Sequence, residues 1–268
     1  TLRNSSAASD VYKRQSPTLI SSLGTGRTAV AISSGDQHTC AILDNGDVTC
    51  WGYGNKGQLG NGGTSSKTTP TLTSSLGANR TAVAISSGAE YTCAILDNGD
   101  VSCWGRGDNG RLGNGGTSNQ NSPTLTSSLG ANRTAVAISS GAQHTCAILD
   151  NGSVSCWGDG GSGRLGNGGT SQQNSPTLTS SLGANRTAVA ISSGFQHTCA
   201  ILDNGNVSCW GYGYDGALGY GLNQHQFSPT LTSSLGTNRT AVAISLGTRH
   251  TCACLLYTSP SPRDLRKS

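Results

Sequence analysis

The sequence predicts an all-β chain, a β-propeller of four-stranded blades, and three observations carry that prediction. A unit of 53 residues repeats without insertion, each unit holds four short strand signals divided by turn residues, and no helical apolar period exceeds two turns. Cys40, Cys93, Cys146, Cys199 and Cys252 mark the period, as do Trp51, Trp104, Trp157 and Trp210. The match runs from Ser16 to Ala253, about four and a half units.

Each strand signal has its own physical basis. In TAVAISS, residues 81–87, Val83 and Ile85 alternate with Ala82 and Ala84, the period of a strand packed on both faces. Residues 91–96 and 101–105 flank Asp97, Asn98 and Gly99, a three-residue hairpin loop with glycine in the left-handed position. PTLTSSL, residues 70–76, is the fourth strand, with proline at its first residue, where a missing N–H is tolerated. Large and small side chains in alternation let one blade seat on the next. A β-solenoid is the competing architecture, but its coils run about 20 to 30 residues with less hairpin chemistry.

HTCAILDNGDVTCWG, GQLGNG at 57–62 and AVAISSG upstream together resemble the repeat of the regulator of chromosome condensation family. The likeness covers every unit, in a cysteine-paired form expected from a bacterial or environmental source. It implies a propeller of seven blades, of which residues 16–253 supply about four and a half, an open arc with the remaining blades missing from this chain. Exposed strands at both open ends are then available for pairing.

Residues 1–15 and 254–268 fit no unit. With threonine at position 1 and no methionine, they are expected to be foreign to the native chain, of the kind that adapter or out-of-frame translation contributes, around an internal fragment. The flanks also hold the charge. Of the formal +4, Arg3, Lys13 and Arg14 against Asp10 supply half, and Arg263, Arg266 and Lys267 against Asp264 the rest. The repeats are neutral, so no nucleic-acid partner is expected. With 11% charged and 34% hydrophobic residues and no run of 18 apolar ones, neither a disordered chain nor a helical membrane protein fits.

The cysteines come in pairs spaced C-x9-C: Cys40 with Cys50, Cys93 with Cys103, Cys146 with Cys156, and Cys199 with Cys209. If Asp44, Asn45 and Gly46 form the loop, Ile42 faces Val48 and Cys40 faces Cys50, within disulfide range. A two-residue Asn-Gly loop would instead put the sulfurs on opposite faces. Disulfides are favoured over buried thiols and over a metal site built with His38, His144 and His197. Tyr91 replaces the histidine in the second unit while both cysteines stay, which argues against ligation. Paired disulfides point to an extracellular or periplasmic location, with the cytoplasm as the alternative.

Other apparent motifs reduce to turn chemistry. G-x-G-x-x-G recurs at each Trp-Gly, for instance Gly105, Gly107 and Gly110, but the LGNGG that follows cannot open a nucleotide-binding helix, so no cofactor is expected. Asp44 and Asp47 read as turn residues rather than as a cation or acid pair. Arg27, Arg80, Arg133, Arg186 and Arg239 form one ring of equivalent positions, read as a structural ladder rather than a phosphate track. Asn79, Asn132, Asn185 and Asn238 begin N-R-T triplets that matter only in a eukaryotic secretory pathway. No nucleophile, Walker or zinc-hydrolase pattern is found, so the chain reads as non-enzymatic.

Differences between near-identical units fall mostly in two loops. One precedes the first cysteine of each pair, where Asp36, Ala89, Ala142, Phe195 and Thr248 are equivalent; the other follows Trp-Gly. There Tyr53, Arg106, Asp159 and Tyr212 share one position, and Gln58, Arg111, Arg164 and Ala217 another. The fourth unit departs furthest, with Tyr212, Tyr214, Asp215, Tyr220, His225 and Phe227. Free drift of exposed loops explains much of this. The sharper reading makes Tyr212, Tyr214, Tyr220, Phe227, Phe195, Arg106, Arg111 and Tyr53 a protein-binding surface on a uniform scaffold.

Three functions compete. First is a non-catalytic, extracytoplasmic protein-binding propeller; the resemblance permits it, because the family includes a secreted bacterial β-lactamase inhibitor. Second is a guanine-nucleotide exchange or chromatin role, which the family's name implies. The cysteine pairs and an invariant spacing that leaves no room for an inserted wedge weigh against it. Carbohydrate binding ranks third, because Glu90 is the sole glutamate and most aspartates sit in turns.

Overall fold

The computed structural model describes residues 19–257. Four antiparallel sheets follow one another along the chain. They are β1 (Ala29–Ser34), β2 (His38–Leu43), β3 (Val48–Gly52) and β4 (Lys67–Leu72); then β5 (Ala82–Ser87), β6 (Tyr91–Leu96), β7 (Val101–Gly105) and β8 (Gln120–Leu125). The third comprises β9 (Ala135–Ser140), β10 (His144–Leu149), β11 (Val154–Gly158) and β12 (Gln173–Leu178), and the fourth β13 (Ala188–Ser193), β14 (His197–Leu202), β15 (Val207–Gly211) and β16 (Gln226–Leu231). A two-stranded sheet, β17 (Arg239–Leu246) with β18 (Thr251–Tyr257), ends the series. Each sheet is an up-and-down meander with consecutive neighbours, and each first strand packs on the next sheet's first strand. The result is four propeller blades and half of a fifth in an open arc. Residues 1–15 lie outside the described residues, as do 258–268; residues 254–257 complete β18.

The hairpin has the expected register. Ile42 faces Val48 and Cys40 faces Cys50, with Asp44, Asn45 and Gly46 in the turn and Gly46 at φ +80°. All four cysteine pairs are disulfides with Cα atoms 4.1 Å apart. Each bridge is buried between blades: Cys40, Cys50, Leu59, Trp104 and Ala82 share one cluster, and the pattern repeats at the next two junctions.

Two strand expectations are corrected. The fourth strand begins three residues earlier than the proline and ends at Leu72, so Pro70 is its fourth residue and residues 73–76 belong to the link. The reason is the register: Leu72 faces Thr49, Thr71 faces Cys50 and Lys67 faces Gly52, while the strand's other edge is unpaired and tolerates proline. The first strand is not packed on both faces throughout. A bulge between Ala82 and Ala84 turns Val83 outward, 61% exposed, while Ala82 is buried.

Blades are joined by a recurring motif: at every junction a threonine hydroxyl donates to a carbonyl of the preceding blade, Thr198 Oγ1 to Arg164 O at 3.1 Å in the third, and at the first two a tryptophan shares that carbonyl. Trp104 Nε1 donates to the Gln58 carbonyl at 3.0 Å, and Thr92 Oγ1 donates to the same oxygen at 3.2 Å. Trp157 and Thr145 repeat this on the Arg111 carbonyl at 3.0 Å each. Glycine is required under the indole: Gly113 has φ +69°, and a Cβ there would lie 2.6 Å from Trp157 Nε1.

The histidines weighed and disfavoured as metal ligands serve the same joint. His38 Nε2 lies 2.8 Å from Thr92 Oγ1 and His144 Nε2 2.8 Å from Thr198 Oγ1. Since each threonine hydroxyl donates its proton to a carbonyl, Nε2–H is the donor and the ring is the neutral tautomer. Burial pushes His38 and His197 down to about 4 and holds His144 well below its ordinary value. Tyr91 fills the second blade's position differently, donating to the His144 carbonyl at 2.6 Å while Thr145 Oγ1 sits 3.0 Å from its hydroxyl. Among the described residues no cluster of metal-ligating side chains occurs.

Candidate protein-binding rim

Strand order alone decides where the loops emerge. The turn between first and second strands and the loop between third and fourth open on one rim of the arc; the hairpin turn and the link to the next blade open on the other. Both loops that differ between units therefore lie on one side, here termed the variable rim, and the opposite side is the constant rim.

Within each blade the two variable loops are tied by the main chain. Tyr53 N donates to the Gln37 carbonyl at 2.8 Å, Arg106 N to Glu90 at 3.0 Å, Asp159 N to Gln143 at 2.9 Å, and Tyr212 N to Gln196 at 2.9 Å. A backbone bond makes no demand on side-chain type, so these positions hold their place while their chemistry changes. The second blade presents Arg106 bound to Glu90 and Asp108. Those bonds raise the arginine's pKa, Glu90 most strongly, and Arg106 in turn lowers Asp108. The third presents Asp159, which accepts from Gly161 N at 2.8 Å and pairs with Arg164 at 3.2 Å.

The fourth blade presents rings. Tyr212 and Tyr214 meet edge to face with centroids 5.4 Å apart, and His225 lies 5.3 Å from the first and 4.7 Å from the second. A single-turn 3-10 helix, Tyr214–Gly216, sets this geometry; Gly213 N donates to His225 Nδ1 at 3.2 Å and Gly216 N to Asn223 Oδ1 at 3.1 Å. Arg249 from the half-blade approaches Asp215 at 3.5 Å. Tyr214 is 49% exposed and Tyr53 40%. Phe195, also exposed, lines a cavity of about 280 Å³ at the mouth of the central axis with Asp36, Ala89, Ala142 and Thr248.

Three expected contact residues have other positions. Arg111 is buried: its side chain folds beneath the loop, Nε donates to Asp108 O at 2.9 Å and Nη1 to Ala142 O at 3.2 Å, and the guanidinium lies 5.8 Å from the Tyr91 ring centre. Desolvation lowers its pKa. It is a strut between blades, because its position carries the carbonyl that receives the next tryptophan. Tyr220 is half-buried against the last junction and its hydroxyl donates to Gln224 O at 2.6 Å. Phe227 is exposed on β16 but lies over Gly163 of the preceding blade, where Asn121 and Asn174 stand at equivalent joints, outside the ring cluster. Arg106 was an expected contact, whereas its partners Glu90 and Asp108 and the ring of His225 were not. The Glu90–Arg106 pair joins two loops whose adjacency only the meander creates.

The regulator of chromosome condensation (RCC1) repeat matches residues 45–95, 98–148, 151–201 and 204–254. The chain belongs to the RCC1 repeat family. Each matched RCC1 unit starts in one blade's hairpin and ends in the next blade's second strand, so sequence repeat and blade are staggered. The human E3 ubiquitin-protein ligase HERC2 is 34% identical over 236 residues, 87% of this chain and 5% of that protein. The Arabidopsis thaliana ultraviolet-B receptor UVR8 is 34% identical over 84% of this chain and 50% of its own length. The chain thus spans half or less of these two RCC1-repeat relatives. Human WBSCR16 superposes with a TM-score of 0.76 at 21% identity over 86% of this chain and 58% of its own. Yeast RCC1, in its crystal structure with Kap60, gives 0.63 at 15% identity over 91% and 69%.

Proposed function

We propose that this RCC1-repeat arc is a non-catalytic protein-binding module of an extracytoplasmic protein, and that its partner docks on the variable rim. The observation that carries the reading is directional: most differences between otherwise matching units emerge on one rim, and the largest is a ring cluster of exposed Tyr214 with half-buried Tyr212 and His225. Tyrosines anchor interfaces because they cover large apolar area with few rotatable bonds. Arg106, Tyr53, Phe195 and Phe227 extend the surface around them.

Protein binding by this fold has support from yeast RCC1, crystallised with Kap60 and described for its binding to Gsp1p and histones. The ligase activity in HERC2's name belongs to a protein of which this chain matches 5%. Four disulfides support an oxidising compartment, and the ACR4 receptor kinase ectodomain of Arabidopsis thaliana shares the fold at a TM-score of 0.51. Neutral repeats favour a protein over a nucleic-acid partner.

The test is crosslinking capture of the partner from the extracellular fraction of the source, followed by affinity measurement with Tyr212→Ala and Tyr214→Ala. A loss of tenfold or more is expected for the double variant; unchanged affinity would remove the variable rim as the docking surface. Thiol counting without reductant should find all eight repeat cysteines protected.

A further inference from the structure

Six Asn-X-Ser/Thr triplets fall within the described residues, and all six lie on the constant rim. Asn79, Asn132, Asn185 and Asn238 open N-R-T in the links between blades, Asn151 opens N-G-S in a hairpin turn, and Asn206 opens N-V-S where a hairpin enters β15. The variable rim is also rich in asparagine, Asn61, Asn114 and Asn167 among them, yet none there begins such a triplet.

All six asparagines are exposed, and the structure separates them by the surroundings of each triplet. Asn79, Asn132 and Asn185 are exposed at the tips of turns with φ of 56°, 56° and 55°, and Asn238 is exposed at 56°. In the first three the neighbouring arginine binds an aspartate of the hairpin, Asp97, Asp150 or Asp203, so that pairing does not use the asparagine. The threonines that complete the triplets are half-buried or exposed. By contrast Asn151 Oδ1 already accepts from Ser153 N at 3.0 Å, and Ser208, which completes the Asn206 triplet, is buried within β15.

We propose that the constant rim is a glycan-bearing face, with Asn79, Asn132, Asn185 and Asn238 as acceptors of N-linked oligosaccharide. This rests on the oxidising-compartment part of the reading above, with that compartment a eukaryotic secretory pathway and not a bacterial periplasm. The donor is an oligosaccharide carried on a polyprenyl diphosphate. The asparagine Nδ2 attacks the sugar's anomeric carbon, the N–C bond forms as the C–O bond to the diphosphate breaks, the diphosphate leaves with that electron pair, and the amide proton passes to a base on the transferase. Glycans are bulky and solubilising. Placed on one rim, they leave the opposite rim bare for its partner.

The test uses the full chain carrying Asn4→Gln, which removes the triplet outside the described residues, behind a secretion leader in a eukaryotic host. Intact mass before and after peptide-N-glycosidase should show up to four glycan steps. Asn-to-Asp conversion should map to positions 79, 132, 185 and 238. Thr81→Val, which keeps Asn79 in its turn and removes only the hydroxyl, should delete one step, as should Asn79→Gln. A secreted chain with its cysteine pairs protected and the mass of bare polypeptide would overturn the proposal, and so would conversion confined to 151 and 206. Glycans together with eight free repeat thiols would overturn the compartment reading and leave the acceptor assignment standing.

Discussion

The two rims are built from the same repeat and are fastened differently. On the constant rim, side chains add to main-chain bonds such as Asp97 N to Thr81 O: Arg27, Arg80, Arg133 and Arg186 reach Asp44, Asp97, Asp150 and Asp203 at 3.0 to 3.4 Å, and the same aspartates receive a backbone N–H from Thr28, Thr81, Thr134 and Thr187. On the variable rim, main-chain carbonyls and amides do the fastening, at Gln37, Glu90, Gln143 and Gln196. A position that fastens through its side chain cannot change without loss, whereas one that fastens through its backbone is free to carry a tyrosine, an arginine or an aspartate. The half-blade makes the same point by default: Leu256 stands where the aspartate would be, and Arg239 lies over the Tyr257 ring at 5.6 Å instead.

The strongest way to break this contrast is at the joint beneath both rims. Trp157→Ala empties a fully buried indole site and should cost about 3 to 5 kcal/mol, read by thermal or denaturant unfolding. Gly113→Ala should also destabilise, through its positive φ and the 2.6 Å approach to that indole. Replacing Cys93 and Cys103 together by serine should cost roughly 2 to 3 kcal/mol, since the bridge closes a short loop.

Acid sharpens the contrast between blades. His38 and His197 refuse a proton down to about 4, while the unfolded chain takes one near the ordinary 6.5. Their folded pKa is depressed, so stability is complete above 6.5 and falls as pH drops from 6.5 towards 4, by up to roughly 1.4 kcal/mol per pH unit for each. His144→Tyr, which copies the arrangement at Tyr91, should flatten that slope by one histidine. The rims themselves should differ least in energy and most in meaning. Arg133→Ala should lower stability by about 0.2 to 1 kcal/mol, with the effect reduced by salt. Tyr214→Ala should leave unfolding within about 0.5 kcal/mol, while partner affinity falls.

Much of the architecture was legible because the unit repeats without a gap. Period, strand count and hairpin loop length together place Cys40 opposite Cys50, since a three-residue turn leaves no other register. Pro70 reads as a strand start in the sequence, but the edge of a sheet accepts proline anywhere its missing N–H would face solvent, and the strand begins at Lys67. Arg111 was misread for a related reason. Its position varies like a surface position, as Gln58, Arg111, Arg164 and Ala217, yet what is held there is the carbonyl that accepts the next blade's threonine hydroxyl, and the side chain merely has to fold underneath.

Local chemistry by itself determined the number of strands, the central hairpin of each unit and, given its three-residue loop, the disulfide partners, because those depend on residues within about a dozen positions of one another and on the strict period of two along a strand. Which side chains are exposed together on the variable rim was decided by tertiary structure alone. Loops separated by 16 residues, such as those of Glu90 and Arg106, become neighbours through the meander, and joints separated by 46, such as Gln58 and Trp104, form only when one blade seats on the next.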